Sequence, residues 1–312
     1  MTLRIHTLLI AGVVVLIAGA AAGQTANDLP QATRTGQEVS GSVGHYTYIE
    51  PGSLRISIHG AKFGGEYTGT WRPAARWFVQ ANGRGIGGST TYDGWCLPFV
   101  ITPDSRSPNG YALGLGDASP CSESGDADWY VDGRTLLGRD FLSGTWGLSP
   151  ATGLGLRYLS NGIGGTSGYR IDRYLYLPLA VTARRRVASH GVLSLKAEYD
   201  ALLRGWQTTK QSLLGGGEVP ATPIAPAFTV EGFTDLSFVQ RQGWAVRLGA
   251  KYELTPHWSI EPSYIHWQVS ASSVDSTTAT YTVNGITADE ELNAIEPDNT
   301  THEFSVSIGF HF

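Results

Sequence analysis

The stretch HEFSVSIGFHF, at positions 302–312, decides the fold class of this chain. Its even positions carry an unbroken apolar series: Phe304, Val306, Ile308, Phe310 and Phe312. Its odd positions, from Glu303 to His311, are polar or small. Because successive side chains of a β-strand point to opposite faces, the pattern predicts a strand with one fully apolar face that runs to the last residue.

The same alternation recurs upstream and carries charges on its second face. Over 244–254, apolar side chains at even positions alternate with residues that include Arg247 and Lys251. A basic side chain facing lipid near the bilayer midplane costs about 2–4 kcal/mol. We therefore expect these charges to face the lumen of a closed barrel, where they pair and fill the interior. The predicted lumen cluster is Arg55, Lys62, Arg134, Lys196, Glu198, Arg247, Lys251, Glu261 and Glu303.

Counting such segments back from the C-terminus predicts an all-β fold, a closed antiparallel transmembrane β-barrel over 39–312. About ten strands are expected, with eight or twelve as alternatives. The predicted strands are 39–49, 53–71, 75–85, 127–146, 153–160, 168–184, 191–208, 238–254, 257–270 and 301–312. Short periplasmic turns are expected near 71–74, 149–153, 187–190 and 255–257, and long external loops near 85–125, 209–231 and 271–300.

The N-terminus predicts export. Arg4 precedes an apolar run over 8–22 that ends in small residues, which is typical of a signal peptide over 1–23. Residues 24–38 are expected to form a periplasmic tail. The terminal strand with Phe310 and Phe312 resembles the signal that the barrel-assembly machinery reads. These features place the chain in the outer membrane of a Gram-negative bacterium.

Composition limits the other function classes. A net charge of −5 argues against nucleic acid as a partner, and the mean hydropathy of −0.10 is too polar for a helical membrane protein. The expected partners are outer-membrane lipid, with lipopolysaccharide as a candidate, and the assembly machinery. No cofactor or metal is expected, because His59, His266 and His302 are scattered without metal-ligand spacing.

Cys96 and Cys121 are the two cysteines of the chain, and a segment rich in Pro, Gly, Ser and Asp separates them. In an exported protein such a pair predicts a disulfide across an external loop.

The order and spacing of these elements resemble the omptins, the ten-stranded outer-membrane proteases. The resemblance covers most of the mature chain and rests on generic features: a strand, turn and strand over Ser53–Arg84, Gly205-Trp206 at the top of a rising strand, the Thr255-Pro256 turn, and the strand that ends in Phe312. It implies a pair of aspartates facing an Asp–His pair across the barrel mouth, where together they activate a water.

The chain departs from that pattern where the Asp–His pair is expected. The residues after Gly205-Trp206 are Gln207-Thr208-Thr209-Lys210-Gln211-Ser212, and an unpaired Lys210 would stay protonated in water. Histidine is the base that such chemistry needs most readily. Asp126 and Asp128 have the spacing of the aspartate pair but come later than the family places it. We therefore assign no catalytic residue, and Asp126 and Asp128 are the remaining candidates.

These observations favour a non-catalytic outer-membrane barrel with a structural or surface-interaction role. A divergent omptin-like hydrolase that uses Asp126 and Asp128 is one alternative, and a narrow channel for small solutes is the other. An acid–base constellation at the mouth would favour the enzyme. An open lumen with unpaired charges would favour the channel.

Overall fold

The computed structural model describes residues 31–52, 55–162, 169–187, 191–213 and 216–312. Its strands, numbered in chain order, are β1 (Gly36–Glu50), β2 (Ile56–Ala74), β3 (Trp77–Cys96), β4 (Phe99–Pro103), β5 (Tyr111–Leu115), β6 (Ser119–Arg139), β7 (Phe141–Ser143), β8 (Trp146–Gly162), β9 (Tyr169–Arg186), β10 (Val192–Thr209), β11 (Gly217–Val219), β12 (Phe228–Phe233), β13 (Leu236–Gln240), β14 (Gly243–Glu253), β15 (Trp258–Val269), β16 (Asp275–Val283), β17 (Ile286–Ala294) and β18 (Asn299–His311). A 3-10 turn spans Gln211–Leu213, and no helix in the described ranges is long and apolar enough to cross a membrane.

Ten of these strands close into a ring. In ring order they are β1, β2, β3, β6, β8, β9, β10, β14, β15 and β18, and each neighbouring pair is antiparallel. The ring closes between β1 and β18, whose pairing runs from Glu38 opposite His311 to Ile49 opposite Thr300. The prediction of a closed antiparallel barrel of ten strands, completed by the terminal strand, is confirmed.

The barrel wall is apolar outside and polar inside. On β18, Phe304 and Ile308 are 61% and 58% exposed, whereas Glu303 and Ser305 are 2% and 7% exposed. Aromatic side chains concentrate near both rims. The aromatic residues near the periplasmic rim are Trp77, Phe141, Trp146, Trp258 and Phe310, and those toward the external side include the contacting pairs Trp129–Tyr158 and Tyr199–Trp244. An apolar band bordered by aromatic girdles is the surface of a barrel that spans lipid.

The periplasmic end differs from the prediction in two places. The turn expected near 149–153 is wrong, because β8 begins at Trp146 and pairs with β7 across a tight turn at Gly144. Gly144 has a φ of 57°, which glycine adopts without steric cost. The strand expected to begin at 39 begins at Gly36.

The last described part of the expected periplasmic tail belongs to the barrel floor. Gln31 and Thr33 are buried, and the Thr33 backbone N–H donates a 3.0 Å hydrogen bond to Asp140 Oδ2. The Gln31 amide donates to the Gly144 carbonyl at 2.7 Å. This segment therefore covers the periplasmic end of the lumen instead of extending away from it. The predicted signal peptide over 1–23 lies outside the described residues.

The external segments are more ordered than the loops that the sequence predicts. β3 and β6 remain paired from Trp77 opposite Arg139 to Cys96 opposite Ser119, so much of the expected loop over 85–125 is strand. The expected loops over 209–231 and 271–300 contain β11, β12, β16 and β17, which form one four-stranded sheet. These strands lie beyond the barrel ring. β16 does alternate, with threonines between Ala279, Tyr281 and Val283, whereas β11 has three residues, too few to show a period.

β15 keeps a regular register although its apolar residues change face. In the sequence the change occurs near Ile265, a pattern that is typical of a β-bulge. The register of β15 with β18 is continuous, and Ile265 and Trp267 simply point into the lumen, where both are buried. A register shift occurs instead between β9 and β10, at Leu202/Arg204.

Two adjacent positions of β18 test this orientation. Val306 lies in the lipid-facing band, midway along the outward face between His302 and Phe310, while Ser307 faces the lumen near Glu261. We expect Val306→Lys to destabilise the folded barrel by about 2–4 kcal/mol, because the ammonium group enters lipid near mid-depth. Ser307→Lys is the matched control and should cost much less. Urea unfolding of both variants in lipid vesicles measures the difference, and equal losses would contradict the assigned faces.

Candidate functional site

The centre of the lumen is organised around Arg247, which β14 directs inward. Its Nη2 lies 2.7 Å from Asp132 Oδ2 on β6, and its Nε lies 2.6 Å from Asp200 Oδ2 on β10. The Tyr176 hydroxyl donates to Asp132 at 2.6 Å and accepts from Arg247 at 3.2 Å. One guanidinium group thus joins strands on opposite sides of the ring.

Glu198 extends this arrangement. Arg134 donates to its Oε1 at 2.8 Å, and Lys196 Nζ lies 3.2 Å from its Oε2. We call Asp132, Arg134, Lys196, Glu198, Asp200 and Arg247 the central ion-pair layer. Its three carboxylates face three cations, so the layer is balanced, which buried charges require.

A second polar group lies closer to the external side. The Lys62 ammonium donates to Asp128 Oδ1 at 2.6 Å and to the Asp128 carbonyl at 2.7 Å. Asn161 donates to the other carboxylate oxygen of Asp128 at 2.7 Å. Arg84 forms an ion pair with Glu303, whose second oxygen accepts a 2.8 Å hydrogen bond from Tyr130.

Aromatic rings fill the space between these charges. Tyr46, Tyr130, Tyr176 and Trp267 are among the largest fully buried side chains. The Arg157 guanidinium lies over the Tyr130 ring at 4.3 Å and over the Trp267 ring at 5.4 Å. Cation–π contacts of this kind stabilise a buried cation such as Arg157. The external half of the lumen is therefore packed with side chains.

A further cluster joins opposite walls at the barrel mouth. Arg170 on β9 lies 2.8 Å from Glu50 on β1 and 3.3 Å from Glu296, in the segment before β18. The Tyr48 hydroxyl donates to Glu50 at 2.9 Å. Burial raises the pKa of Glu296 above its usual value, and Arg170 opposes that rise without cancelling it.

The external strands build a small hydrophobic core of their own. We call β4, β5, β11, β12, β16 and β17 the external cap. The buried apolar residues of its core are Ile101, Leu113, Phe228, Val230, Ala279, Tyr281, Val283 and Ala288. The Tyr281 hydroxyl donates to the Tyr111 carbonyl at 2.5 Å, which ties β16 to β5. The Glu296 backbone N–H donates to Ser272 Oγ at 3.0 Å, joining the two ends of the β16–β17 segment above the mouth.

The predicted disulfide is confirmed. Cys96, at the end of β3, is bonded to Cys121 on β6, with a Cα–Cα distance of 5.7 Å. The bond closes the segment that carries β4 and β5.

Because β3 and β6 stay paired beside the disulfide, its loss should act on the cap and leave the barrel intact. We expect Cys96→Ser with Cys121→Ser to speed proteolysis between 97 and 120, with a local loss of up to about 3 kcal/mol. Heat-modifiable migration on a denaturing gel should stay unchanged. Equal cleavage rates in both proteins would contradict this role.

The structure places most of the predicted lumen cluster inside the barrel. Lys62, Arg134, Lys196, Glu198, Arg247 and Glu303 belong to the networks above, Lys251 pairs with Glu38, and Glu261 lines the periplasmic half of the lumen. Arg55 is the exception, since it is exposed in the turn between β1 and β2. The cluster omitted Asp132, Asp200 and Arg84. The alternation of strand faces predicts the first two. Asp132 is two residues from Arg134 on β6 and Asp200 is two residues from Glu198 on β10, so each pair shares a strand face.

Asp126 and Asp128 do not form an exposed loop pair. Both lie on β6, and Asp128 is 1% exposed with both carboxylate oxygens bound by Lys62 and Asn161. Gln207 is buried on β10, within the strand that we predicted over 191–208. Lys210, which we expected to be unpaired, is paired with Asp235 at 2.6 Å. Partial burial opposes ionisation of Asp235, but hydrogen bonds from Lys210 and Ser212 outweigh it and lower its pKa.

A polar cavity occupies the periplasmic half of the lumen. Its volume is about 190 Å³, and its lining includes Glu38, Glu66, Lys196, Lys251 and Glu261. The central ion-pair layer lies on its external side, and Thr33 and Arg34 contribute to its lining near the floor.

Comparison with known proteins finds similar folds and no close relative. No protein family model and no curated protein matches the chain. The outer membrane protease OmpT from Escherichia coli is 11% identical, with a TM-score of 0.49 over 89% of this chain and 97% of that one. The transport unit of the autotransporter AIDA-I from Escherichia coli is 8% identical, with a TM-score of 0.38 over 97% of each chain. An outer membrane channel from Pseudomonas putida F1 is 9% identical, with a TM-score of 0.36 over 93% of this chain and all of that one.

Similarities of this size carry no activity from one protein to another. The location of the chain follows from its own closed ring, apolar band and polar lumen, which are the features of a bacterial outer-membrane β-barrel.

Proposed function

We propose that this outer-membrane barrel is non-catalytic and presents its external cap for interactions at the cell surface. The observation that carries the proposal is that the protein has two separate interiors, a polar one in the barrel lumen and an apolar one in the external cap. The lumen holds a balanced ion-pair layer, while the external strands pack around a separate apolar core. Loops that merely connect strands do not need a core of their own.

The cap also offers apolar side chains to the medium. Ile224, Val274 and Ile286 are 91%, 64% and 50% exposed. These three apolar side chains lie outside the lipid band, where a partner at the cell surface can reach them.

The arrangement inside the barrel supports this function over the two alternatives. A hydrolase built on Asp126 and Asp128 needs an accessible carboxylate, whereas Asp128 is buried against Lys62. A channel needs a continuous aqueous path, whereas Trp267, Tyr176 and the central ion-pair layer cross the lumen.

The test compares the native protein with a variant in which residues 275–294 are replaced by a short Gly-Ser linker. Both are reconstituted in fluorescent nanodiscs and added to bacterial and host cells. We expect both to be folded by heat-modifiable migration, and only the native protein to bind cells. Equal binding by both proteins, or binding by neither, would overturn the interaction role.

The same preparations test the alternatives. Native protein in liposomes should not admit small sugars, and it should not cleave dibasic peptides with lipopolysaccharide added. Sugar-driven swelling would favour the channel. Cleavage that disappears in Asp128→Ala would favour the hydrolase.

A further inference from the structure

Two histidines that are far apart in the sequence meet on the outer wall of the barrel. His266 on β15 lies directly opposite His302 on β18 in the strand register. Their neighbours Ile265, Trp267 and Glu303 are buried in the lumen, so both imidazoles point outward. The two Nδ1 atoms are 3.4 Å apart, and the ring centroids are 4.8 Å apart.

This separation matches what one metal ion imposes on two nitrogen ligands. With zinc–nitrogen bonds of about 2.0–2.1 Å and tetrahedral angles, two ligating nitrogens lie about 3.4 Å apart. Imidazole is a preferred ligand for copper, nickel and zinc. We propose that His266 and His302 form a binding site for a divalent transition metal ion on the outer wall of the barrel.

Neighbouring rings hold the two imidazoles in this arrangement. The Trp244 ring contacts His266 at 4.9 Å. The Tyr264 hydroxyl is hydrogen-bonded to His302 Nδ1 at 2.8 Å, so it must give up this hydrogen bond, or become a ligand beside the two histidines, when the ion binds. Tyr264 in turn packs on Phe304 with a centroid distance of 4.6 Å. A pair held in place on two hydrogen-bonded strands loses little conformational freedom when it binds an ion.

The rest of the coordination shell is open. Within the described residues, no group of three or more His, Cys, Asp or Glu side chains is placed to hold a metal ion. Both histidines lie three residues from the external ends of their strands, at the border between the apolar band and the medium. Water, the Tyr264 oxygen or phosphate oxygens of lipid can complete the shell there. Such a site binds more weakly than one closed by four protein ligands.

The experiment uses the full-length mature protein without a purification tag, in detergent and in lipid nanodiscs, titrated with Cu²⁺. We expect one bound ion per barrel by calorimetry and an electron paramagnetic resonance spectrum with nitrogen hyperfine structure. His266→Ala and His302→Ala should each weaken binding about tenfold or more. Tighter binding in nanodiscs than in detergent would identify lipid phosphate as a ligand, and equal binding would identify water or Tyr264.

Three controls keep the outcome decisive. His257→Ala removes an exposed histidine at the periplasmic turn and should leave binding unchanged. Tyr264→Phe keeps the aromatic ring and removes the hydroxyl. Weaker Cu²⁺ binding by this variant would identify the Tyr264 oxygen as a ligand, and unchanged binding would show that Tyr264 only supports His302. Heat-modifiable migration must show that each variant is folded, and His302→Gln replaces His302→Ala if that variant is not. The proposal is overturned if the native protein binds no stoichiometric Cu²⁺, or if folded variants at 266 and 302 bind it as tightly as the native protein.

Discussion

Replacing Arg247 with alanine is expected to destabilise the barrel by about 3–5 kcal/mol. The guanidinium group contacts Asp132 and Asp200, which are 3% and 0% exposed. Its removal leaves two buried carboxylates of the central ion-pair layer without their principal counter-ion. An uncompensated buried charge costs far more than an exposed ion pair contributes.

Urea unfolding followed by tryptophan fluorescence measures this loss. Arg241→Ala is the matched control, because Arg241 is exposed between β13 and β14 and its loss should change stability by no more than about 0.5 kcal/mol. Combining Arg247→Met with Asp200→Leu should recover part of the stability, since both a cation and an anion are then removed. A loss below about 1 kcal/mol in Arg247→Ala would show that the layer is hydrated and not a structural element of the lumen.

Deleting Phe312 is expected to prevent most of the protein from reaching the outer membrane in folded form. The Phe312 backbone exchanges hydrogen bonds with Gln37 at 2.9 and 3.0 Å, and its ring stacks on Phe310 at 6.3 Å. The stabilisation that these contacts alone provide is modest. The large effect is expected because the terminal phenylalanine resembles the signal that the assembly machinery reads.

Fractionation with heat-modifiable migration measures the folded fraction in cells. Phe63→Ala is the matched control, because Phe63 is 62% exposed in the same lipid-facing surface, close to the 57% of Phe312. Refolding the truncated protein from urea into detergent separates the loss of the Phe312 contacts from the loss of the assembly signal. Refolding should succeed if the signal acts only through the machinery. Normal insertion of the truncated chain in cells would remove Phe312 from the assembly signal.

Several site features could not be read from the chain because they depend on long-range contacts. His266 and His302 looked unrelated, yet the β15–β18 register sets them side by side. The sequence indicated no partner for Lys210, whereas in the structure Asp235, between β12 and β13, lies 2.6 Å from it. Asp128 lies within the strand predicted over 127–146, but the sequence could not show that Lys62 and Asn161 bind its carboxylate in the lumen.

The sequence by itself determined the fold class, the ten barrel strands, their up-and-down order and the disulfide. Each of these follows from local information: a period of two in hydrophobicity, turn residues between strands, and two cysteines in one exported segment. The tertiary structure decided which charges meet inside the lumen and how the external strands pack. Arg247 and Asp132 are 115 residues apart, and Arg170 and Glu50 are 120 apart. The alternation of apolar and polar residues indicates only that such a side chain points inward. Its partner depends on the tilt and stagger of the strands in the closed ring, which are set by all ten strands together.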